Sequence, residues 1–416
     1  MSDAGRLPFY ATADEVDAPR GWSVLRILDA YEQLPIGRRY DNKSVTNSGR
    51  VPVIDQSLHG VLGYHDNEPG VAASPDQPVV TFANHTCAMR VMRSPFSVIQ
   101  NVFPLVGRPG ICDTTYLYYA TNGRQQTEEY KGHHPTWRNS FFALPDLEAQ
   151  RTIVRVLSAL DDLIDYNQRR IELLEQMAQE IYREWFLRFR YPGHKDAAFV
   201  ESSVGPVPDG WAVRTIGALG TVVTGSTPST KTSTYWGTTG DVPFLTPSEM
   251  SMHRLWAEPD RFLSPEGVLS VRTRLLPAGA VCFACIGSIG KTAMTMESTV
   301  TNQQVNSVVV DETISTSAYV FHALSDAAES IRATASGAAT PIINRSAFVA
   351  TRLLVPSRAM SQRFAEVINP IHKAIVTSEL QNRNLAHIRD LLLPKLVSGQ
   401  IDVSTLDLDA VVGSVA

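Results

Sequence analysis

The sequence predicts an α+β protein with two similar, mostly-β globular domains, each followed by one long helix. Three observations lead to this prediction: an apolar stripe at coiled-coil spacing in mid-chain, a second stripe near the end, and motifs that recur about 200 residues apart. The rest of the chain consists of short β-branched or aromatic runs between Gly, Pro and Asn turns, which favours strands.

The first stripe lies in residues 145–190, where no Pro or Gly follows Pro145. Its apolar positions advance in alternating steps of four and three residues, which is the spacing of a coiled-coil seam. At about 1.5 Å per residue this helix is roughly 60 Å long, so it needs a partner of similar length. The predicted seam residues are Leu157, Leu160, Ile164, Ile171, Leu174, Ile181 and Trp185.

A second stripe in residues 356–400 supplies that partner. Pro370 lies inside it, and because proline costs about 3 kcal/mol in a helix interior, we expect a kink or a restart there. An ordinary core-facing helix is the alternative for either stripe taken alone. The seam residues predicted here are Phe364, Val367, Ile371, Leu385, Ile388 and Leu392.

Short motifs recur in the same order in the two halves of the chain, which indicates an internal repeat. The matching pairs are 19–24 with 208–213, 51–54 with 242–245, 79–83 with 280–284, and 139–151 with 345–363. The predicted organisation is therefore a leader (1–18), a first domain (19–144), a long helix (145–190), a linker (191–207), a second domain (208–355), a second helix (356–400) and a tail (401–416).

Composition limits the function classes. A net charge of −5 argues against a polybasic nucleic-acid binder, although local basic patches remain compatible with it. The start of the chain has no apolar signal region and no later run is long and apolar enough to cross a bilayer, so we expect a cytoplasmic protein. The 4 cysteines are too few and too scattered for a disulfide framework.

The sequence assigns no catalytic, cofactor-binding or metal-binding residue. Residues 286–292 end like a phosphate-binding loop, but Cys285 stands where that pattern requires its first glycine. A tight turn between strands is therefore favoured over an ATP site. Cys282 and Cys285 lack a second cysteine pair at zinc spacing, so buried structural cysteines are expected.

Polar and aromatic side chains in Gly- and Pro-bounded loops suit phosphate and base-edge contacts with DNA, and amides suit adenine edges. For any one of these residues alone, a solvated loop position is the plain alternative. The candidates in the first half are Arg50, Gln56, Ser57, His85, Arg90 and Arg93. Those in the second half are Thr227, Ser229, Lys231, Thr232, Tyr235, Trp236, Ser288, Lys291, Asn302 and Gln303.

Taken in order, the motifs make the chain resemble the specificity (S) subunit of type I restriction–modification enzymes. The similar stretches are 144–151 and 184–189 around the central helix, 207–213, 224–229, 235–237, 286–291 and 302–303 in the second domain, and 392–401 at the distal end. The resemblance runs from Gly21 to Ile401. The first half lacks the 224–229 loop and the 286–291 turn, and residues 84–86 stand near the position of that turn.

The resemblance implies a DNA-reading scaffold without its own active site, serving in phage defence. Two target-recognition domains would each read half of a bipartite sequence in double-stranded DNA. The long helices would form an antiparallel coiled coil that fixes the half-site spacing and docks methylation (M) subunits, of which two are expected. Those subunits would hold S-adenosylmethionine and flip the target adenine, and restriction (R) motor–nuclease subunits would use ATP and Mg²⁺.

Two other function classes stay open at this point. One is a non-catalytic coiled-coil scaffold or adaptor without DNA sequence readout, which salt-dependent DNA binding by the assembled complex would separate from the first interpretation. The other is an ATP-using enzyme built on residues 290–292. A Lys291→Ala variant that keeps all ATP hydrolysis of the assembly would remove it.

Overall fold

The computed structural model describes residues 7–57, 60–125, 132–337 and 340–403. Within these ranges the chain has mixed α+β structure and divides into two units. The first unit takes in Met1–Asp165 and Asn382–Ala416, and the second is Tyr166–Gln381. Each unit therefore contains one globular part together with a portion of both long helices.

The first unit is built on a four-stranded antiparallel sheet and a three-stranded sheet. Its elements are β1 Ser23–Arg26, α1 Ile27–Ala30, β2 Tyr31–Gln33, β3 Val51–Ile54, β4 Val61–His65, β5 Val79–Ala83, β6 Met89–Met92, β7 Ser97–Val98, β8 Val102–Gly107, α2 Thr114–Thr121, α3 His134–Asn139, β9 Phe141–Leu144 and the start of α4 Leu147–Tyr182. The strand orders are β2-β8-β5-β6 and β4-β3-β7, with β3 and β7 parallel, and β1 pairs with β9.

The second unit repeats this plan. After α4 come β10 Phe199–Ser202, β11 Gly205–Pro208, β12 Ala212–Thr215, β13 Gly220–Thr224, β14 Val242–Leu245, β15 Arg261–Leu263, α5 Pro265–Ser270, β16 Val281–Ala284, β17 Thr292–Met294, β18 Val300–Thr301, β19 Val305–Val310, α6 Ser317–Asp326, α7 Ala328–Ala333, α8 Arg345–Ala350, β20 Arg352–Val355 and α9 Arg358–Val397. The strand orders are β13-β19-β16-β17 and β15-β14-β18, with β14 and β18 parallel. The recurring sequence motifs thus correspond to a recurring structure.

Local sequence explains the matching elements. The central strands β5 (VVTFA) and β16 (VCFA) are buried at every position, which is why they are almost continuously apolar. The helix after the sheet is capped in both units, by Asp113 before α2 and by Thr316 before α6. Each cap side chain accepts a hydrogen bond from a first-turn amide that has no partner inside the helix.

The first long helix, α4, has 36 residues and passes into a π-helical turn, Arg183–Leu187. The second, α9, has 40 residues and continues through Pro370, so the helix does not restart there. Pro370 is exposed, and water can therefore bond the carbonyl group that has lost its helical partner. No helix in the described part of the chain has the length and apolarity needed to cross a membrane.

The predicted seam is corrected at two positions of α9. Val367 and Ile388 are 42% and 44% exposed, whereas Ile368 and Ile375 are buried. The buried face also carries polar residues, His372 among them, which an apolar pattern does not count. Of the other seam residues, Leu157, Leu160, Ile171, Trp185 and Phe364 are buried, and Ile164, Leu174, Ile181, Ile371, Leu385 and Leu392 are partly buried.

Candidate functional site

Each unit has a polar corner where a loop that joins its two sheets meets a turn; the loop runs from β2 to β3 in the first unit and from β13 to β14 in the second. The second corner comprises the loop 225–236 and the turn 302–304. A Cβ atom at Gly225 would collide with the Asn302 carbonyl oxygen, so glycine permits the close approach of loop and turn. Ser226 N then donates to the Thr301 carbonyl at 2.8 Å, and Thr227 Oγ1 donates to Gln303 Oε1 at 2.7 Å.

Some predicted contact residues in the second unit are used by the fold itself. Asn302 is buried, its Nδ2 donates to Gln304 Oε1 at 2.9 Å, and its Oδ1 accepts from Gln304 N at 3.1 Å. Lys291 Nζ donates to the Pro247 carbonyl at 2.7 Å. These groups shape the turn and the loop after β14, and their additional role as DNA contacts stays a prediction.

The 286–292 segment is the tight turn that the sequence favours over a phosphate-binding loop. It joins the antiparallel strands β16 and β17, and no helix follows it. Ser288 is exposed at its tip, while Gly287 and Gly290 adopt left-handed φ angles of 68° and 99°. A phosphate-binding loop needs a helix N-terminus after the lysine, and a strand stands there instead.

The aromatic residues of the second corner support its loop. The Arg261 guanidinium lies 5.1 Å from the Trp236 ring centroid, and the Trp236 indole N–H donates to the Ser229 carbonyl at 3.4 Å. The Tyr235 carbonyl accepts from Ser264 N at 3.1 Å, and the Thr232 amide donates to the Ser229 carbonyl at 3.3 Å. These contacts hold the loop in place. Ser229 and Lys231 are exposed on it, and Gln303, which bonds Thr227 of the same loop, is exposed as well.

Of the first-half candidates, the structure brings Gln56, Ser57, His85 and Arg90 together. Gln56 Nε2 donates to the Gln100 carbonyl at 3.3 Å, and its Oε1 accepts from His85 N at 3.0 Å. Arg90 Nη2 bonds the Ser57 carbonyl, and burial lowers the pKa of this guanidinium. Most of this set therefore connects one loop to another rather than facing outward.

Two predicted arginines lie elsewhere in the first unit. Arg50 is at the opposite end of β3 from Gln56 and donates to the Asp66 carbonyl at 2.7 Å. Arg93 forms an ion pair with Asp162 of α4, which raises the pKa of the arginine through the hydrogen bond. Both arginines therefore lie apart from the corner and already bond carbonyl or carboxylate groups, and their role as DNA contacts stays a prediction.

The structure adds residues that the sequence motifs do not indicate. A groove at the first corner is lined by Arg38, Tyr40, Gln100 and Asn101, with Gln56 at its wall. Arg38 and Gln100 are exposed. The Arg38 guanidinium lies 5.2 Å from the Tyr40 ring centroid, and Tyr40 stacks on His65 with 4.1 Å between centroids. Strand pairing, rather than any local motif, is the signal that identifies them.

The four cysteines are free and buried, as expected for structural residues. Burial raises the pKa of both Cys282 and Cys285 to about 11, and their sulfur atoms accept hydrogen bonds from Ser307 and Asn306. Among the described residues, no group of three or more His, Cys, Asp or Glu side chains is arranged to hold a metal ion.

Comparison with known proteins agrees with this geometry. Residues 208–385 match the family model of the type I restriction modification DNA specificity domain, and this range includes the whole second corner. This part of the chain is thus similar to the DNA specificity domain of type I restriction–modification enzymes. The crystal structure of the type I restriction–modification S subunit from M. genitalium shares the fold, with a TM-score of 0.57 at 13% identity, over 92% of this chain and 97% of that one.

Curated specificity subunits are also similar in sequence. The HindI subunit of Haemophilus influenzae is 26% identical over 62% of this chain and 68% of its own length. The MjaIX subunit of Methanocaldococcus jannaschii is 23% identical over 76% of this chain and 75% of its own length. The EcoR124I/EcoR124II subunit of Escherichia coli is 23% identical over 89% of this chain and 93% of its own length. The predicted resemblance to type I specificity subunits is confirmed.

Proposed function

We propose that this chain is the sequence-specific DNA-binding specificity subunit of a type I restriction–modification complex. The observation that carries the proposal is that one polar corner occurs twice, on the same strand order, in a chain with a type I DNA specificity domain. Two similar corners suit a bipartite DNA target, with one half-site for each domain. Residues 19–144 and 208–355 are the proposed recognition domains.

The two long helices are proposed to pair antiparallel. Support comes from the second unit, where Arg254 bonds both Glu175 of α4, at 3.4 Å, and Glu379 of α9, at 2.6 Å. In the π-helical turn that continues α4, Trp185 packs against Phe364 of α9, with 5.8 Å between ring centroids. Contacts nearer the C-terminal end of the first long helix thus involve residues nearer the N-terminal end of α9, which is the order expected for antiparallel helices.

The helices are also the proposed docking site for methylation subunits. Tyr166, Leu173 and Met177 of α4 are 64%, 66% and 48% exposed, and their spacing of seven and four residues places them on one helix face. Exposed apolar side chains grouped in this way are typical of protein interfaces. This chain would hold no cofactor and catalyse no step. S-adenosylmethionine, ATP and Mg²⁺ would belong to the M and R partners.

The roles of Lys231 and Gln303 provide a test in the complex with methylation subunits. Lys231→Ala should weaken binding to all DNA sequences evenly and reduce the slope of log affinity against log salt by about one. Gln303→Ala should instead relax preference at one base pair, because an amide hydrogen-bonds base edges. Equal and sequence-blind effects of the two variants would contradict this division of roles, and binding without salt dependence would favour an adaptor.

A further inference from the structure

Gln100 and Gln303 occupy one structural position in the two domains, although the sequences around them differ. Each lies two residues before the second strand in the order of its four-stranded sheet, which is β8 in the first unit and β19 in the second. Three pairs of contacts give the same equivalence. In the four-stranded sheets, Ala83 pairs with Val102 as Ala284 pairs with Val305, and in the three-stranded sheets Ile54 pairs with Val98 as Leu245 pairs with Thr301. The third is a main-chain hydrogen bond, from Asn84 N to Asn101 O at 3.0 Å in the first unit and from Cys285 N to Gln304 O at 2.8 Å in the second.

Both glutamines are exposed, and each lies in a turn that hydrogen bonds hold in place. The Gln100 carbonyl accepts the Gln56 amide, so its main chain is fixed while its side chain stays at the surface. Gln303 Oε1 accepts a hydrogen bond from the Thr227 hydroxyl at 2.7 Å, which orients the carboxamide. Nε2 and one lone pair of Oε1 stay available for DNA. A carboxamide held in this way suits the N6 and N7 edge of adenine.

The first corner adds an exposed arginine, Arg38, where the corresponding loop of the second corner carries the exposed Lys231. Arg38 lies in the loop between β2 and β3, which corresponds to the 225–241 loop between β13 and β14. Its guanidinium rests on the Tyr40 ring, Tyr40 stacks on His65, and His65 Nε2 is 2.9 Å from Ser97 Oγ. This stack supports one face of the guanidinium and leaves its N–H edge open for guanine O6 and N7.

The carboxylates beside this groove are used by neighbouring groups. Asp41 Oδ1 accepts from Lys43 N at 3.0 Å and from Ser44 Oγ at 2.8 Å, and these hydrogen bonds lower the pKa of Asp41. Asp55 Oδ1 accepts from Ser57 N at 2.9 Å and Ser57 Oγ at 2.7 Å. Arg38 lines the same groove, and its positive charge also helps to lower the pKa of Asp41.

We propose that Gln100 and Gln303 determine specificity, each for one adenine of its own half-site, and that Arg38 determines a guanine in the first half-site alone. The inference rests on the proposed function and deepens it. It names one equivalent reading position in both domains and one group that makes the two half-sites differ.

The test uses the full chain assembled with its methylation subunits, acting on a library of random DNA duplexes whose methylated sites are sequenced. The wild-type complex should give a bipartite motif. Gln100→Ala should lose about tenfold discrimination at one adenine of one half, and Gln303→Ala the same in the other half. Arg38→Ala should lose discrimination at a guanine in the half that Gln100→Ala affects.

Gln77→Ala is the matched control, since Gln77 is an exposed glutamine of the first unit outside the corner. It should leave the motif unchanged. A wild-type complex that gives no bipartite motif overturns the proposed function itself. A bipartite wild-type motif that neither Gln100→Ala nor Gln303→Ala relaxes, or that both relax in the same half, overturns this inference alone. Because the two glutamines lie in different domains, loss of folding in one variant leaves the other informative.

Discussion

The two units repeat one strand order, but they place different side chains against the long helices. In the first unit the Tyr119 hydroxyl donates to Asp161 of α4 at 2.6 Å, and Arg389 of α9 bonds the same carboxylate at 2.9 Å. In the second, Phe186, which follows α4, packs against Tyr319 and Phe364 with 4.9 Å between ring centroids in both contacts. Each unit also uses the other kind of contact, since Leu157 of α4 lies in the first core and Arg254 bonds both helices in the second. The units therefore differ in one attachment each: the polar attachment at Asp161 in the first, and the aromatic attachment around Phe186 in the second.

The consequence is a difference in sensitivity to substitution. Removing apolar volume from a well-packed cluster costs both transfer free energy and a cavity, whereas a partly exposed ion pair contributes less. Substitutions at the aromatic attachment of the second unit should therefore be more damaging than those at the polar attachment of the first.

The largest effect is expected for Ile171→Asp. Ile171 has no exposed surface and lies in the core of the second unit, so a carboxylate there would be buried without a partner. The variant should not give a stably folded second unit. Leu173→Asp is the control on the same helix, because Leu173 is 66% exposed and should tolerate the charge. Matched thermal unfolding of the two variants would contradict the assigned helix face.

Phe364→Ala should cost about 3–5 kcal/mol of unfolding free energy, since the ring is fully buried among aromatic neighbours. Val367→Ala, three residues away on the exposed side of α9, should cost less than about 0.5 kcal/mol. Denaturant unfolding of both variants would locate the buried stripe. A larger loss for Val367→Ala would restore the seam predicted from sequence.

Glu175→Gln should change the pH dependence of stability. Burial raises the pKa of Glu175 to about 7, so its contribution to stability is complete below the ordinary glutamate pKa and is lost as pH rises through 7. Between pH 5 and 8, the free energy of unfolding of the variant should therefore rise relative to that of wild type by about 2 kcal/mol. Glu172→Gln, at an exposed site on the same helix, is the control. Parallel stability curves for wild type and Glu175→Gln would contradict the assignment.

Arg389→Ala should give the smallest of these effects, about 1–2 kcal/mol, because the ion pair with Asp161 is only partly buried. The loss should shrink when Asp161 is replaced by Asn as well, since the carboxylate that Arg389 neutralises is then absent. A double-mutant cycle in the unfolding free energy measures this coupling. Strictly additive losses would show that the contact contributes nothing by itself.

The sequence predicted the general plan because periodicity and repeated motifs report directly on burial. It placed the long helices, the duplication and the 286–292 turn. It misplaced the α9 stripe, because polar residues such as His372 share the buried face.

The candidate site was less predictable because pairing over long sequence distances decides it. Arg93 reads as a free cation until Asp162, 69 residues later, is found beside it. Gln303 belongs to a recognisable motif, whereas its counterpart Gln100 does not, and strand register alone connects them. Residue type therefore indicated the chemistry of the site, and topology was needed to indicate which residues present it.

The central claim is that this chain supplies the DNA sequence specificity of a type I complex. The most direct measurement is genome-wide adenine methylation in cells that carry the chain with its methyltransferase, compared with cells bearing an in-frame deletion of this chain alone. We expect a bipartite methylated motif that disappears with the deletion. A methylated motif that survives the deletion unchanged would contradict it.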